Sequence, residues 1–203
     1  MTAPVLCLAS ASPRRRELLA QIGVPHLVLA ADVDEARLDG EAPAHYAARV
    51  ALAKAEAAWR APAARQGLPV LAADTTVALG NEVLGKPATL EEGVGMLLAL
   101  AGRTHEVVTA IALLSGELTA PAVRQRTVRS EVRFRAIARA EAERYWHTGE
   151  PRDKAGGYAI QGLAAVFVAA LSGSYSGVMG LPLFETAALL AEAGVPAWAG
   201  PAA

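Results

Sequence analysis

The chain opens on an unbroken apolar run, Val5-Leu6-Cys7-Leu8, followed by Ala9-Ser10-Ala11-Ser12-Pro13, where a hydroxyl suits a helix cap and proline its first turn. Leu18, Leu19 and Ile22 then recur at helical spacing up to Gly23, so the pattern predicts strand, turn and helix. A short strand around His26 to Ala30 precedes the acidic stretch Asp32-Val33-Asp34-Glu35, which puts Glu35 in a loop or at a strand end. A helix carrying Arg49 and Lys54 is predicted from about Ala42 to Trp59. Pro69 to Ala73 read as a buried strand stopped by Asp74-Thr75-Thr76, with Asp74 at its end.

Thr89-Leu90-Glu91-Glu92 matches a capping box for a helix ending at Gly102. His105 to Leu114 and Val123 to Phe134 read as long paired strands. The second alternates Val128, Ser130, Val132 and Phe134 with Arg129, Glu131, Arg133 and Arg135, the pattern of one packed and one solvated sheet face. A polar helix from Ala140 to His147 leads into the glycine-rich Ala155 to Gly162, and a strand runs through Val166 to Leu171. Ser172 to Gly177 reads as flexible; a last helix spans about Pro182 to Ala193, and the tail 195–203 is expected to fray. With no internal repeat and no linker-like segment, the mixture of strands and helices predicts a single α/β domain over 1–203, its core at about 5–194.

Composition narrows the function. The 203 residues are 53% hydrophobic, enough for a substantial core. Lys and Arg number 19 against 20 Asp and Glu, a formal charge of -1, so no global basic field draws the chain to nucleic acid or to an anionic membrane, and any anion site must be local. Cys7 is the lone cysteine and reads as a packed core residue, which excludes an internal disulfide and points to a reducing, cytoplasmic setting. The apolar stretch Leu163 to Leu171 falls far below the roughly 18 to 20 residues of a spanning helix. The N-terminus lacks the basic segment of an export signal.

Candidate chemistry starts at Ser10 to Arg16. A helix N-terminus offers unpaired N–H groups and partial positive charge; two hydroxyls and three arginines beside it make a phosphate cradle, or else a capped helix whose arginines face solvent. Gly80-Asn81-Glu82-Val83-Leu84-Gly85-Lys86 has the spacing of a phosphate loop, but Pro87 stands where a metal-binding hydroxyl belongs, which excludes that motif. Lys86 is left as a point charge for phosphate or as a surface lysine. Glu35 and Asp74 each stand where an element gives way to a loop, a usual place for groups that hold a hard cation or orient water. There is no H-E-x-x-H, paired C-x-x-C or Gly-x-Ser-x-Gly. His105 and His147 read as strand-end and helix-surface residues.

Taken in order, Ser10-Ala11-Ser12-Pro13-Arg14-Arg15, Glu35, Lys54, Asp74-Thr75, Gly85-Lys86-Pro87, Leu100 to His105, Asp153 to Tyr158, Ile160-Gln161-Gly162, Gly173-Ser174-Tyr175 and Gly180-Leu181-Pro182-Leu183 resemble the Maf family of nucleoside triphosphate pyrophosphatases, over residues 5 to about 194. Glu82-Val83-Leu84, Asp153-Lys154-Ala155-Gly156 and Ile160-Gln161-Gly162 are similar to the branch acting on dTTP and UTP. The departures, Ala101 for a frequent Ser and Thr76 for a branched aliphatic residue, bear on local packing.

The resemblance implies a Maf/ITPase-like fold: an elongated, twisted mixed sheet flanked by helices, with two lobes and a cleft between them. It implies hydrolysis of the α–β phosphoanhydride with Mg²⁺ or Mn²⁺ as cofactor. Asp74 matches the family's proton acceptor, and Glu35 would hold the metal with it. Ser10, Arg14, Lys54 and Lys86 match triphosphate-binding positions, and Arg15, Thr75 and Gln161 match the specificity set; Arg16 is expected to face solvent. A nucleoside triphosphate is then the partner, with no nucleic acid and no membrane, and a homodimer is left open. The cellular role would be clearance of non-standard nucleotides or arrest of division. The competing reading is a nucleic-acid-binding or septum-regulating protein without catalysis, which the charge balance disfavours.

Overall fold

A computed structural model describes residues 3–198. Its frame is a seven-stranded mixed sheet with helices against it. The strands are β1 (Leu6–Leu8), β2 (His26–Val28), β3 (Val70–Leu79), β4 (Glu82–Leu84), β5 (Thr104–Gly116), β6 (Pro121–Phe134) and β7 (Val168–Ser172). They lie in the order β2-β1-β3-β5-β6-β7, with β4 hydrogen-bonded to β3. β1 runs parallel to β2 and β3, whereas the β3, β5, β6 and β7 pairings are antiparallel. The helices are α1 (Pro13–Gln21), α2 (Pro43–Trp59), α3 (Leu90–Leu100), α4 (Arg139–His147), α5 (Tyr175–Met179) and α6 (Leu183–Glu192).

The period of two along the central strands sorts side chains into separate cores. Leu71, Ala73, Ile111 and Leu113 face α1 and α6 with Leu18, Leu19 and Leu189. Their neighbours Val70, Ala72, Ala110 and Ala112 turn the other way and pack under Ala47, Ala51 and Ala55 of α2. Because those α2 contacts are alanines, the helix lies close to the sheet and brings Lys54 down to it. A third core, built on Val77, Val107, Val132 and Phe134 with α3 and α4, fills the far lobe.

One predicted boundary fails. β3 does not stop at Asp74 but continues to Leu79, because β5 pairs with it throughout, from Val70↔Leu114 to Ala78↔Glu106. On its other edge β3 meets β1 only at Val70 and Leu71, and β4 only at Val77 to Leu79. Residues 72–76 therefore have a strand neighbour on one side alone. The sheet opens there, and the polar residues sit at the opening rather than at a strand end.

Smaller differences have local causes. Thr89 Oγ1 accepts from the Glu92 N–H at 3.2 Å, as the capping box requires, but the Glu92 carboxylate reaches the Ala88 N–H at 2.7 Å instead of returning to Thr89. The stretch expected to be flexible, Ser172 to Gly177, contains the start of α5, capped by Ser174 Oγ accepting from the Gly177 N–H at 2.9 Å. The tail begins packed rather than frayed, since Val195 joins the α1/α6 core and the Trp198 N–H donates to the Ile22 carbonyl at 2.7 Å; residues 199–203 lie outside the described ones. The alternating charges of β6 do face outward, with Ser130, Val132 and Phe134 buried behind them. Among the described residues no helix is long and apolar enough to cross a membrane.

Candidate active site

The opening beside residues 72–76 is the floor of a cleft of about 520 Å³. Strand parity divides its polar groups. Asp74 projects on the α2 side, where Lys54 Nζ meets its Oδ1 at 2.8 Å; the same ammonium meets Glu35 Oε1 at 2.8 Å. One lysine thus bridges two carboxylates in very different surroundings: the Asp74 side chain is 9% exposed and that of Glu35 is 45%. Their acidities separate accordingly. Burial raises Asp74 above its ordinary value despite Lys54 and Arg15, and Glu35 adds to the rise. Burial pushes Glu35 up as well, but there the hydrogen bond and charge of Lys54, with Lys86 and Arg15, outweigh it and hold the carboxyl below its usual range.

Glu35 stands on a loop tied to α2. The Tyr46 hydroxyl donates to the Glu35 carbonyl at 2.9 Å, Arg49 Nη2 donates to the Ala36 carbonyl at 2.9 Å, and Arg49 forms a two-pronged pair with Glu41 at 2.7 Å on each prong.

Thr75 projects to the opposite face and belongs to a directed chain of donors. Arg15 Nη2 donates to Thr75 Oγ1 at 3.3 Å, Thr75 and Thr109 hydroxyls lie 3.0 Å apart, and Thr109 Oγ1 donates to the Gly177 carbonyl at 2.7 Å. A carbonyl only accepts, so Thr109 spends its single proton there and Thr75 donates to Thr109. The Arg15 guanidinium also donates to the Gly180 carbonyl at 2.8 Å and to Ser10 Oγ at 3.2 Å. Gly180 is needed for that approach: at φ 122° it occupies backbone space that L side chains rarely adopt, and a Cβ there would sit 3.4 Å from Arg15 Nε. Three contacts on one guanidinium make Arg15 a fixed part of the wall, and burial pulls its pKa down from the ordinary arginine value.

Ser12 stands at the α1 N-cap position without capping it; its N–H instead donates to Ser10 Oγ at 3.2 Å. The α1 N-terminus is therefore open toward the cleft beside Arg14. Arg16 is exposed and turned away.

The opposite wall comes from irregular backbone. The β3–β4 hairpin delivers Lys86, and the Gly85 carbonyl accepts the Gly156 N–H at 2.9 Å. Gly156 has φ 68°, and an added Cβ would fall 2.8 Å from Val77 Cγ1, so the chain can pass over β3 only as glycine. Asp153, Lys154, Tyr158 and Gln161 follow along this wall. Tyr158 is fixed from beneath by His105, whose Nε2 lies 2.8 Å from its hydroxyl, and both rings stand edge-on to Phe134. His105 is deeply buried; burial lowers its pKa to about 4, and its Nδ1 has no partner.

Ser10, Arg14, Arg15, Glu35, Lys54, Asp74, Thr75, Lys86 and Gln161 all line this one cleft, although they come from six separate stretches of chain. The family model of Maf-like protein matches residues 5–193. The chain belongs to the Maf family.

Curated Maf relatives are similar over nearly their whole lengths. A dTTP/UTP pyrophosphatase of Saccharophagus degradans is 55% identical over 194 residues, covering 95% of this chain and 90% of that one. One of Alkalilimnicola ehrlichii is 54% identical over 193 residues, covering 93% of each. A solved Staphylococcus aureus Ham1 protein aligns with 63% of this chain and 71% of its own at 23% identity and a TM-score of 0.41, a likeness too partial to bear on function.

Sequence reading missed the supporting contacts of Tyr46, Arg49, Tyr145 and Glu150, which hold the loops of this Maf cleft; of the four, Tyr46 also lines it. Glu41 eight residues before Arg49 was a readable signal for one of them. The Tyr145–Glu150 contact left none, because its meaning depends on residues 159–164 folding back.

Proposed function

We propose that this chain hydrolyses dTTP and UTP at the α–β phosphoanhydride, releasing the nucleoside monophosphate and pyrophosphate. The observation that carries the reading is Asp74: a buried carboxylate with raised pKa, where the sheet opens between the β1 and β4 pairings of β3, in contact with a cation and surrounded by further cations. The names of the curated relatives supply the substrate class.

In the proposed reaction a water oxygen bonds to the α-phosphorus as the bond to the α–β bridging oxygen breaks. Pyrophosphate leaves with that electron pair, and Asp74 takes the water's proton. A raised pKa makes Asp74 a better proton acceptor near neutrality than an ordinary aspartate. Lys54 keeps enough of it ionised to act. Ser10, Arg14 and Lys86, with the open N-terminus of α1, bind the triphosphate oxygens and offset the charge that collects on the leaving pyrophosphate.

Mg²⁺ or Mn²⁺ is the cofactor we propose. Among the described residues no group of three His, Cys, Asp or Glu side chains is placed to hold a metal, but two carboxylates completed by substrate phosphate oxygens and waters suit a small hard cation. Glu35 and Asp74 would hold it, and its charge would acidify the attacking water.

Gln161 selects the base. Its amide offers a donor beside an acceptor and so matches the adjacent carbonyl and N–H of uracil and thymine, whereas cytosine's amino group would put like groups face to face. Arg15 and Thr75 form the fixed side of the same pocket. A panel of nucleoside triphosphates with Mg²⁺, read by pyrophosphate release, tests the proposal: dTTP and UTP should exceed ATP and GTP, and fastest turnover of a purine would overturn the assignment.

A further inference from the structure

Gln161 lies on a turn, not on a helix or strand, and a side chain that reads a base must be held to a fraction of an ångström. The turn's restraint comes from outside the cleft. Glu150 Oε2 accepts the Leu163 N–H at 2.9 Å, and Oε1 accepts the Ala164 N–H at 3.2 Å. The Tyr145 hydroxyl donates to Glu150 Oε1 at 2.7 Å and accepts the Ala159 N–H at 3.3 Å. Backbone on both sides of Gln161 is thereby tied to one carboxylate and one phenol. Gly162 fits beneath them: a Cβ there would lie 2.2 Å from Glu150 Oε2.

The anchor itself is firm. Tyr145 belongs to α4, is 5% exposed, and stands edge-on to Phe167 with ring centroids 5.3 Å apart. The neighbouring Trp146 packs over Gly93 of α3, where a Cβ would come within 2.4 Å of its ring. Glu150 is further tied at its carbonyl, which accepts from Lys154 Nζ at 2.7 Å. Neither Glu150 nor Tyr145 lines the cleft.

We infer that Glu150, with Tyr145, is a positioning residue for base selection: it clamps residues 159–164 and so holds Gln161 where it can pair with a pyrimidine edge. The inference rests on the reading of Gln161 given above. A carboxylate is required because three donors converge on it. The isosteric amide cannot serve, since whichever way it is turned its NH₂ faces a backbone N–H.

Glu150→Gln is therefore the decisive variant. Expected are faster amide hydrogen exchange across residues 159–164 with the rest of the chain unchanged, a roughly tenfold lower ratio of kcat/KM for dTTP to that for GTP, and a kcat for dTTP within about threefold of the parent. The ratio does not depend on the fraction of enzyme that is folded, so a merely destabilised variant would leave it alone. Tyr145→Phe keeps the ring packing and should shift exchange and ratio the same way by a few-fold. Gln161→Ala separates the two readings. If it lowers the ratio, Glu150→Gln in its background should lower it no further. If Gln161→Ala lowers the ratio but Glu150→Gln does not, or if exchange across 159–164 is unchanged in Glu150→Gln, the clamp is overturned while base reading by Gln161 stands. If Gln161→Ala leaves the ratio unchanged, the reading of Gln161 fails and the clamp's role in selection fails with it, even where exchange has risen.

Discussion

The two walls of the cleft are built on different principles. The wall of Asp74, Lys54 and Arg15 stands on regular elements: a central strand, a long helix over alanines, and an arginine held at three points. Asp74 and Lys54 are held by charge and Arg15 by neutral acceptors; in the proposed function the first two act at the phosphates, which every nucleotide shares, and Arg15 backs the base pocket. The wall of Lys86, Tyr158 and Gln161 stands on a hairpin and short turns, held by glycines, aromatic rings and a carboxylate beneath. In the proposed function its Lys86 reaches the phosphates, while Gln161 faces the base, the part of the substrate that varies. With the proposed chemistry at Asp74 and Lys54 on the rigid wall and the proposed base reading at Gln161 on the turn-built one, these residues should respond to mutation in different currencies: rate at the first two, discrimination at the third.

The sharpest break is expected at Asp74. Asp74→Asn should lower kcat by about a thousandfold for all nucleotides alike. It should not lower Tm. The native carboxyl binds its proton more tightly than the unfolded chain's does, so its ionisation costs stability as pH rises from the unfolded pKa through the folded one, and an uncharged amide removes that cost. Retained turnover in this variant would remove Asp74 from the mechanism, and a large fall in Tm would contradict the burial argument.

Lys54→Met comes next, at about a hundredfold in kcat/KM. Removing the ammonium also removes the main charge that opposes burial at Asp74, so the acid limb of the pH–rate profile should move to higher pH. An unmoved limb would detach the profile from this pair. Across the cleft, Gln161→Ala should leave kcat for dTTP within a few-fold yet cut the preference for dTTP over GTP by about tenfold. A uniform loss over all substrates would mean that the walls are not separable.

His105→Phe is the mildest. The ring contacts survive, and the lost hydrogen bond to Tyr158 should cost about 1 kcal/mol, or roughly 2 to 4 °C in Tm at neutral pH, with dTTP turnover nearly unchanged. Because burial lowers the native pKa of His105 to about 4, the unfolded chain binds a proton there first as pH falls from about 6.5 toward 4. The parent should lose stability across that window more steeply than the variant does, which a series of thermal melts at stepped pH would show.

The contrast between walls also explains what was legible in the sequence. α2, α3, β5 and β6 follow from apolar period, caps and alternation, because those signals are local. Asp74-Thr75-Thr76 reads locally as a stop, and only pairing with β5 and the gap between β1 and β4 turn it into the floor of a site. The motif order located the residues that line the cleft and set Arg16 apart as facing solvent, but it could not tell that Arg15 is fixed in the wall, since that depends on Thr75 and Gly180, 60 and 165 positions away. On the turn-built wall Gln161 was legible by resemblance. Its supports were not: Glu150, Tyr145 and His105 act through contacts that exist only once the loop has closed.

The most direct test of the central claim is quantitative product analysis with dTTP and Mg²⁺, the parent and Asp74→Asn side by side. The account predicts dTMP and pyrophosphate in equal amounts from the parent and almost none from the variant. Release of inorganic phosphate with dTDP, or equal pyrophosphate from both proteins, would contradict it.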